Sequence, residues 1–226
     1  MKRKGPYLPE DKLIGIISDD YRFLQVLSRF GISLGFGDKS VKEVCEDNSV
    51  DCLTFLTIVN FINNDMEEIA ETAYLSIDSL LRYLKQSHVY FLDFCLPAIR
   101  RKLIDGISLK NSDVSFLILK LFDEYVDAIR EHMTDEERNL FKHVEEVAKH
   151  TLKNQNKLES FSGHHDEVNS KLRELKKIII KYCPEPANQN ILNDALFDLY
   201  RCEEELNSHS KIEDQLIINK WLQQSL

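Results

Sequence analysis

Glycine and proline are scarce, at 7 and 5 in 226 residues. Few positions therefore force a turn, and the chain is expected to run in long helices. Cysteines number five and are scattered (Cys45, Cys52, Cys95, Cys183, Cys202) with no CxxC pair. That excludes a disulfide framework and a thiolate zinc site as the organising feature. Positive charge is in deficit: 29 basic against 38 acidic residues, net -9. Such a chain has no electrostatic reason to seek nucleic acid or an anionic membrane. No run approaches the roughly 18 apolar residues of a membrane span. The basic start Met1-Lys2-Arg3-Lys4-Gly5-Pro6 is followed by no apolar core of a signal peptide. A reducing cytoplasm is the expected compartment. There is no glycine-rich phosphate loop, no GxSxG and no Cys–His dyad that the sequence can place.

The most informative stretch that is present is Glu131-His132-Met133-Thr134-Asp135-Glu136-Glu137. On a helix, His132 and Glu136 stack on one face, one turn apart. The apolar series Ile118, Leu121, Phe122, Tyr125, Ile129 leads into them and Leu140 follows, in steps of three and four. The imidazole and the carboxylate thus fall where a core should be, and a buried charge needs a partner or a metal. The device recurs near the C-terminus. Leu192, Leu196, Leu199, Cys202 and Leu206 run into His209 and Glu213, then Leu216. One such pair reads most simply as a satisfied core histidine. Two, on different helices, favour a metal site between helices.

The N-terminal part reads as a small helical domain, 1–66. Residues 1–17 are expected to be a loosely attached arm. Asp19 and Asp20 open a helix with Leu24, Leu27 and Phe30, stopped by Gly31. A glycine-punctuated loop follows to Asp38. Ser40-Val41-Lys42-Glu43 reads as a capping box, and Asp51 caps a third helix with Leu53, Leu56, Val59 and Phe61 or Ile62 on its apolar side. This helix–turn–helix pattern carries no Lys or Arg between Asp51 and Asn63, so it lacks the contacts of a DNA recognition helix.

Residues 72–226 read as an up-down-up-down four-helix bundle, making the chain all-α. The first long helix carries Ile77, Leu80, Leu81, Leu84, His88, Leu92, Cys95, Ile99 and Leu103. Pro97 should kink it, and Gly106 should follow its end. The second begins near Ser112 and runs to about residue 151. The third carries Phe161, His165, Val168, Leu172, Leu175 and Ile179, before Pro184 and Pro186. The fourth starts near Asn188. Each helix puts a histidine on its apolar stripe: His88, His132, His165 and His209. His164 competes with His165, which fits the 161, 165, 168, 172 series better. With Glu136 and Glu213 these form a donor set for two metal ions, iron first and manganese or zinc less well. His143 and His150 read as surface residues past the site, with a channel-lining place the alternative for His143; Tyr125 reads as packing, with support of His132 the alternative.

These motifs, with His88 ahead of Leu96-Pro97 and His165-Asp166-Glu167, resemble the hemerythrin-like di-iron proteins. The whole chain is similar to the iron–sulfur cluster repair di-iron family, which sets a small helical domain before such a bundle. The resemblance implies two non-haem irons on His88, His132, Glu136, His165, His209 and Glu213, with the two glutamates bridging. It implies a site for oxygen, peroxide or nitric oxide, and a damaged iron–sulfur protein as possible partner. There is one departure: after Phe30-Gly31-Ile32 the family has an adjacent Cys-Cys pair, where this chain has Ser33-Leu34. The leading expectation is a di-iron protein that binds or reduces nitric oxide or oxygen in a stress or sensing role. Cluster repair or iron delivery is the alternative, and a metal-free helical interaction module a further one.

Overall fold

The computed structural model describes residues 5–64, 66, 75–108, 113–148 and 165–218. Its contacts divide the chain into two compact units. One comprises Met1–Ser87 with Lys211–Ile217, the other His88–Ser210 with Ile218–Leu226. Among the described residues every regular element is a helix, and the one β-type pairing is an isolated bridge between Lys12 and Ser40.

In the first unit, helices α1 (Leu13–Asp19), α2 (Phe23–Arg29), α3 (Val41–Asp47) and α4 (Cys52–Asn63) are short and end on explicit local devices. Ser40 and Glu43 form the expected capping box of α3, and Asp51 caps α4 by accepting from the Thr54 N–H at 2.8 Å. Helix α2 ends in a double return. The Ile32 N–H reaches Leu27 O at 2.9 Å and the Gly31 N–H reaches Ser28 O at 3.0 Å. Gly31 holds φ +74°, the left-handed residue of a Schellman end.

Two expectations fail here. The described part of the expected arm, 5–17, is not loose: Tyr7, Leu13 and Ile16 are buried, and residues 1–4 lie outside the described residues. The backbone of Tyr7 is clasped by Asn60, whose Oδ1 accepts from the Tyr7 N–H at 2.7 Å and whose Nδ2 donates to Tyr7 O at 3.0 Å. Aspartates 19 and 20 do not open one helix; they separate α1 from α2. Asp20 accepts from the Arg22 N–H at 2.9 Å and from its guanidinium, which turns the chain between the helices.

The described helices that make up the four-helix bundle are α5 (Ile77–Val89) with α6 (Leu96–Gly106), α7 (Asp113–Asp135) with α8 (Lys142–Ala148), α9 (His165–Tyr182), and α10 (Gln189–Glu213). The second unit holds this bundle from His88 onward. Its core runs through Phe91, Leu96, Ile99, Leu103, Ile118, Phe122, Ile129, Leu172, Leu175, Ile179, Leu192 and Leu199. These are the stripe positions the periodicity marks, except that Phe91 and Leu96 join the core while the expected Leu92 is only partly buried, because the π turn Tyr90–Cys95 shifts the phase there. Ser112, the expected N-cap, lies outside the described residues; Asn188 caps α10 by accepting from the N–H groups of Asn190 and Ile191.

Among the described residues three π-helical turns interrupt these long helices: Tyr90–Cys95, Glu136–Phe141 and Asp214–Ile218. The first explains how Pro97 is accommodated. Proline lacks an N–H and crowds the carbonyl four residues back, and the wider turn immediately before α6 relieves both demands.

Gly106 also differs from expectation. It is the last residue of α6 rather than a left-handed stop beyond it. A Cβ there would lie 2.8 Å from Leu192 N and 2.9 Å from Leu192 Cα. The glycine is required by the close approach of α6 to the start of α10, where Asn188 N–H donates to Gly106 O at 3.2 Å.

Candidate metal centre

His88 ends α5, Glu136 follows α7 directly and His209 lies in the last turns of α10. All three are buried, at 1%, 3% and 2% relative exposure. One donor atom from each lies within 4.8 Å of the others. The Nε2 atoms of His88 and His209 face each other at 3.2 Å. Glu136 presents one oxygen to each of two imidazoles: Oε2 is 3.4 Å from His88 Nε2, and Oε1 is 2.8 Å from His132 Nε2.

The other nitrogen of His88 is held as well. Its Nδ1 lies 2.8 Å from Glu137 Oε1. A carboxylate there accepts the Nδ1–H, which fixes the tautomer and leaves the Nε2 lone pair directed at the cluster. Rings hold the imidazoles in place: Phe141 stacks on His88 at 5.4 Å, and Phe91 meets His209 edge-on at 6.2 Å.

The donor set fits a metal ion. Imidazole nitrogens and a carboxylate suit divalent first-row transition metals. A buried carboxylate and imidazoles drawn to one point otherwise carry a desolvation cost of several kcal/mol per uncompensated charge, which a cation offsets. Two of the π turns adjoin this cluster. One begins two residues after His88, and one begins at Glu136 itself. π turns inside α-helices recur at functional sites, because the extra residue re-aims the side chains around it.

The remaining expected donors are placed less completely. His132 is half-buried and reaches the cluster through Glu136. Glu213 is buried and ends α10, one turn beyond His209 on the same helix, just before the third π turn. His165 opens α9, and its side chain lies outside the described residues, as does His164 altogether. His143 is not a surface residue: it is half-buried, and its Nε2 is enclosed without a hydrogen-bond partner among the described residues. His150 lies outside the described residues. Tyr125 is fully buried packing, as expected, with its hydroxyl lacking a hydrogen-bond partner among the described residues.

Sequence reasoning missed Glu137. On a regular helix, neighbours point about 100° apart, so Glu136 facing inward should send Glu137 to solvent. The π turn starting at Glu136 breaks that rule, and Glu137 is half in water and half on His88. The one available signal was a second carboxylate directly after the HxxxE motif.

Buried imidazole and carboxylate donors converging inside a helical bundle define a metal-binding helical protein. The family model for the hemerythrin HHE cation binding domain matches residues 79–221. The chain belongs to that family. No curated protein matches the chain. Among the described residues no helix is long and apolar enough to cross a membrane.

Proposed function

We propose that this protein holds two iron ions on His88, His132, Glu136, His165, His209 and Glu213, and binds or reduces nitric oxide or oxygen in a stress or sensing role. The observation that carries the reading is the convergence of buried His88, Glu136 and His209 donors within 4.8 Å of one another. Iron with open coordination positions supplies Lewis acidity and electrons to a small ligand. The chain's own residues do the rest. Glu137 keeps the proton of His88 on Nδ1, so Nε2 stays a donor. Glu136 has both oxygens directed at imidazoles, the arrangement of a carboxylate that serves two ions. Phe91 and Phe141 wall the imidazoles with apolar surface, which keeps water from competing for the site.

Anaerobic iron loading of the purified chain tests this, read by elemental analysis and the optical spectrum. Two metal ions per chain are expected. His132→Ala abolishes full loading. Tyr125→Phe loads normally, because it removes only a buried hydroxyl with no hydrogen-bond partner. A wild-type chain that stays below one metal ion after loading defeats the proposal. Preferential retention of manganese or zinc from mixed metals keeps the site and overturns its assignment to iron.

A further inference from the structure

One short segment holds His88 on three sides. The π turn Glu136–Phe141 brings Glu136 Oε2 to the Nε2 side of the imidazole at 3.4 Å and Glu137 Oε1 to the Nδ1 side at 2.8 Å. It ends in Phe141, whose ring stacks on the imidazole face at 5.4 Å with the planes 20° apart. His88 comes from a different helix, 49 positions before Glu137. The orientation of that imidazole is therefore set by the π turn as well as by α5.

The three groups are not equivalent. Glu136 and Phe141 are buried, whereas the Glu137 side chain is 43% exposed. A surface glutamate loses rotamer freedom when it is held in one place. Glu137 nevertheless folds back onto a histidine side chain that is 2% exposed. The contact satisfies the one donor the imidazole has left when its Nε2 lone pair faces the cluster. A carboxylate in this position acts twice. As an acceptor it holds the Nδ1–H tautomer. As a negative charge it draws the proton toward itself and makes Nε2 a stronger donor. Glutamine separates the two effects, because it keeps the acceptor oxygen and loses the charge.

We propose that Glu137 is a positioning residue whose charge sets the donor strength of His88. Through it the centre holds divalent cations more tightly and favours the more oxidised state of an ion that can change valence. The inference rests on the metal reading above, and it adds a residue that lies outside the proposed donor set. The π turn makes it possible, since it turns Glu137 toward His88 while Glu136 keeps its place in the cluster.

The test compares the full-length wild type with Glu137→Gln and Glu137→Ala. Glu131→Gln, an exposed acid near the end of α7, is the control for loss of one charge. Cobalt(II) is the probe, titrated in competition with a chromophoric chelator. In metal-free protein, nitrogen NMR of the imidazoles should show His88 protonated on Nδ1 in the wild type and in Glu137→Gln, and a mixture of tautomers in Glu137→Ala. Cobalt affinity should fall about tenfold in Glu137→Gln, and further in Glu137→Ala. It should hold steady in Glu131→Gln. In iron-loaded protein the reduction potential should move to more positive values in Glu137→Gln and stay in place in Glu131→Gln. A side chain that merely packed on His88 would leave that potential where it is. The proposal is overturned if Glu137→Gln binds cobalt as tightly as the wild type, or if its potential does not rise. It is equally overturned if Glu131→Gln weakens binding as much, or if His88 changes tautomer in Glu137→Gln, which would assign the effect to geometry instead of charge. A wild type that takes up no cobalt sinks the metal reading together with this proposal. A wild type that binds cobalt beside an equally tight Glu137→Gln sinks this proposal alone.

Discussion

The four N-terminal helices and the bundle helices depart from regular helix in different places. In the former, the departures are at helix ends: a capping box at Ser40, an aspartate cap at Asp51, and left-handed closures at Gly31 and Ser49. In the bundle helices they are internal: among the described residues, three π turns that begin two residues after His88, at Glu136 and directly after Glu213. An end device satisfies backbone groups that any helix leaves open. An internal π turn gives up regular hydrogen bonding in mid-helix, and tertiary demands must compensate for it. The irregularity of the first four helices therefore serves folding, and that of the bundle helices serves a site.

The largest expected effect tests this contrast directly. Stripping metal from loaded protein with a chelator should destabilise the bundle helices and leave the first four helices unchanged. A ligand held a thousandfold below its free concentration contributes about 4 kcal/mol to the folded state. Amide hydrogen exchange read by region measures it: protection should fall around α7 and α10 and persist in α2 and α4. Equal loss of protection in both regions would break the contrast.

Next in size is Gly106→Ala. The added methyl meets Leu192 backbone atoms below 3.0 Å, and backbone cannot swing aside as a side chain can. Overpacking of this kind costs roughly 1–3 kcal/mol, and the denaturation midpoint should drop accordingly. If Gly106 were only a helix stop, alanine would be nearly neutral, because its φ is not in the left-handed region.

The same residue shows what the sequence can and cannot reveal. The scarcity of glycine marked Gly106 as significant, but the reason for it lies in α10, far along the chain. Local grammar was legible: the Ser40 box, the Asp51 cap, the Gly31 closure and most of the apolar stripes appear where spacing puts them, whereas Leu24 and Leu53, expected on apolar faces, are exposed. The pairing of His88, Glu136 and His209 was legible for a related reason. Charged residues on an apolar stripe have no purpose as packing, so their phase alone points them at one another. Glu137, the burial of Tyr7 and the tight turn from α3 into α4 were not legible. The first depends on a π turn that no residue type announces. The second depends on a clasp by Asn60, 53 positions away. The third depends on a left-handed serine, where the sequence gives no glycine to flag the turn.

Two substitutions of about 1 kcal/mol, opposite in sign, sharpen the view of the first unit. Ser40→Ala removes the side-chain acceptor for the Glu43 N–H and should cost about 1 kcal/mol. Ser49→Gly relieves a left-handed residue that is not glycine, and should stabilise by roughly 0.5–1 kcal/mol. Chemical denaturation at constant m-value reads both. A destabilising Ser49→Gly would mean that the unfolded chain gains more freedom than the native turn loses strain.

The smallest expected effect lies on the bundle surface. Arg100 grips Asp123 with two hydrogen bonds, Nε to Oδ1 at 2.7 Å and the second guanidinium nitrogen to Oδ2 at 2.9 Å. The guanidinium lowers the Asp123 pKa, first through the hydrogen bond and then through its charge. A carboxylate whose folded pKa is depressed contributes stability above its unfolded pKa and loses it as pH falls through the folded value. Both side chains are nearly half exposed, so water and salt screen the pair. Arg100→Ala should therefore cost no more than about 0.5 kcal/mol at neutral pH. The gap from wild type should shrink in 1 M salt. It should close in acid, below the range where free aspartate titrates. A larger, pH-independent loss would assign Arg100 to packing of its aliphatic stem instead. The bundle surface would then contribute to its fold through apolar contact, as its interior does.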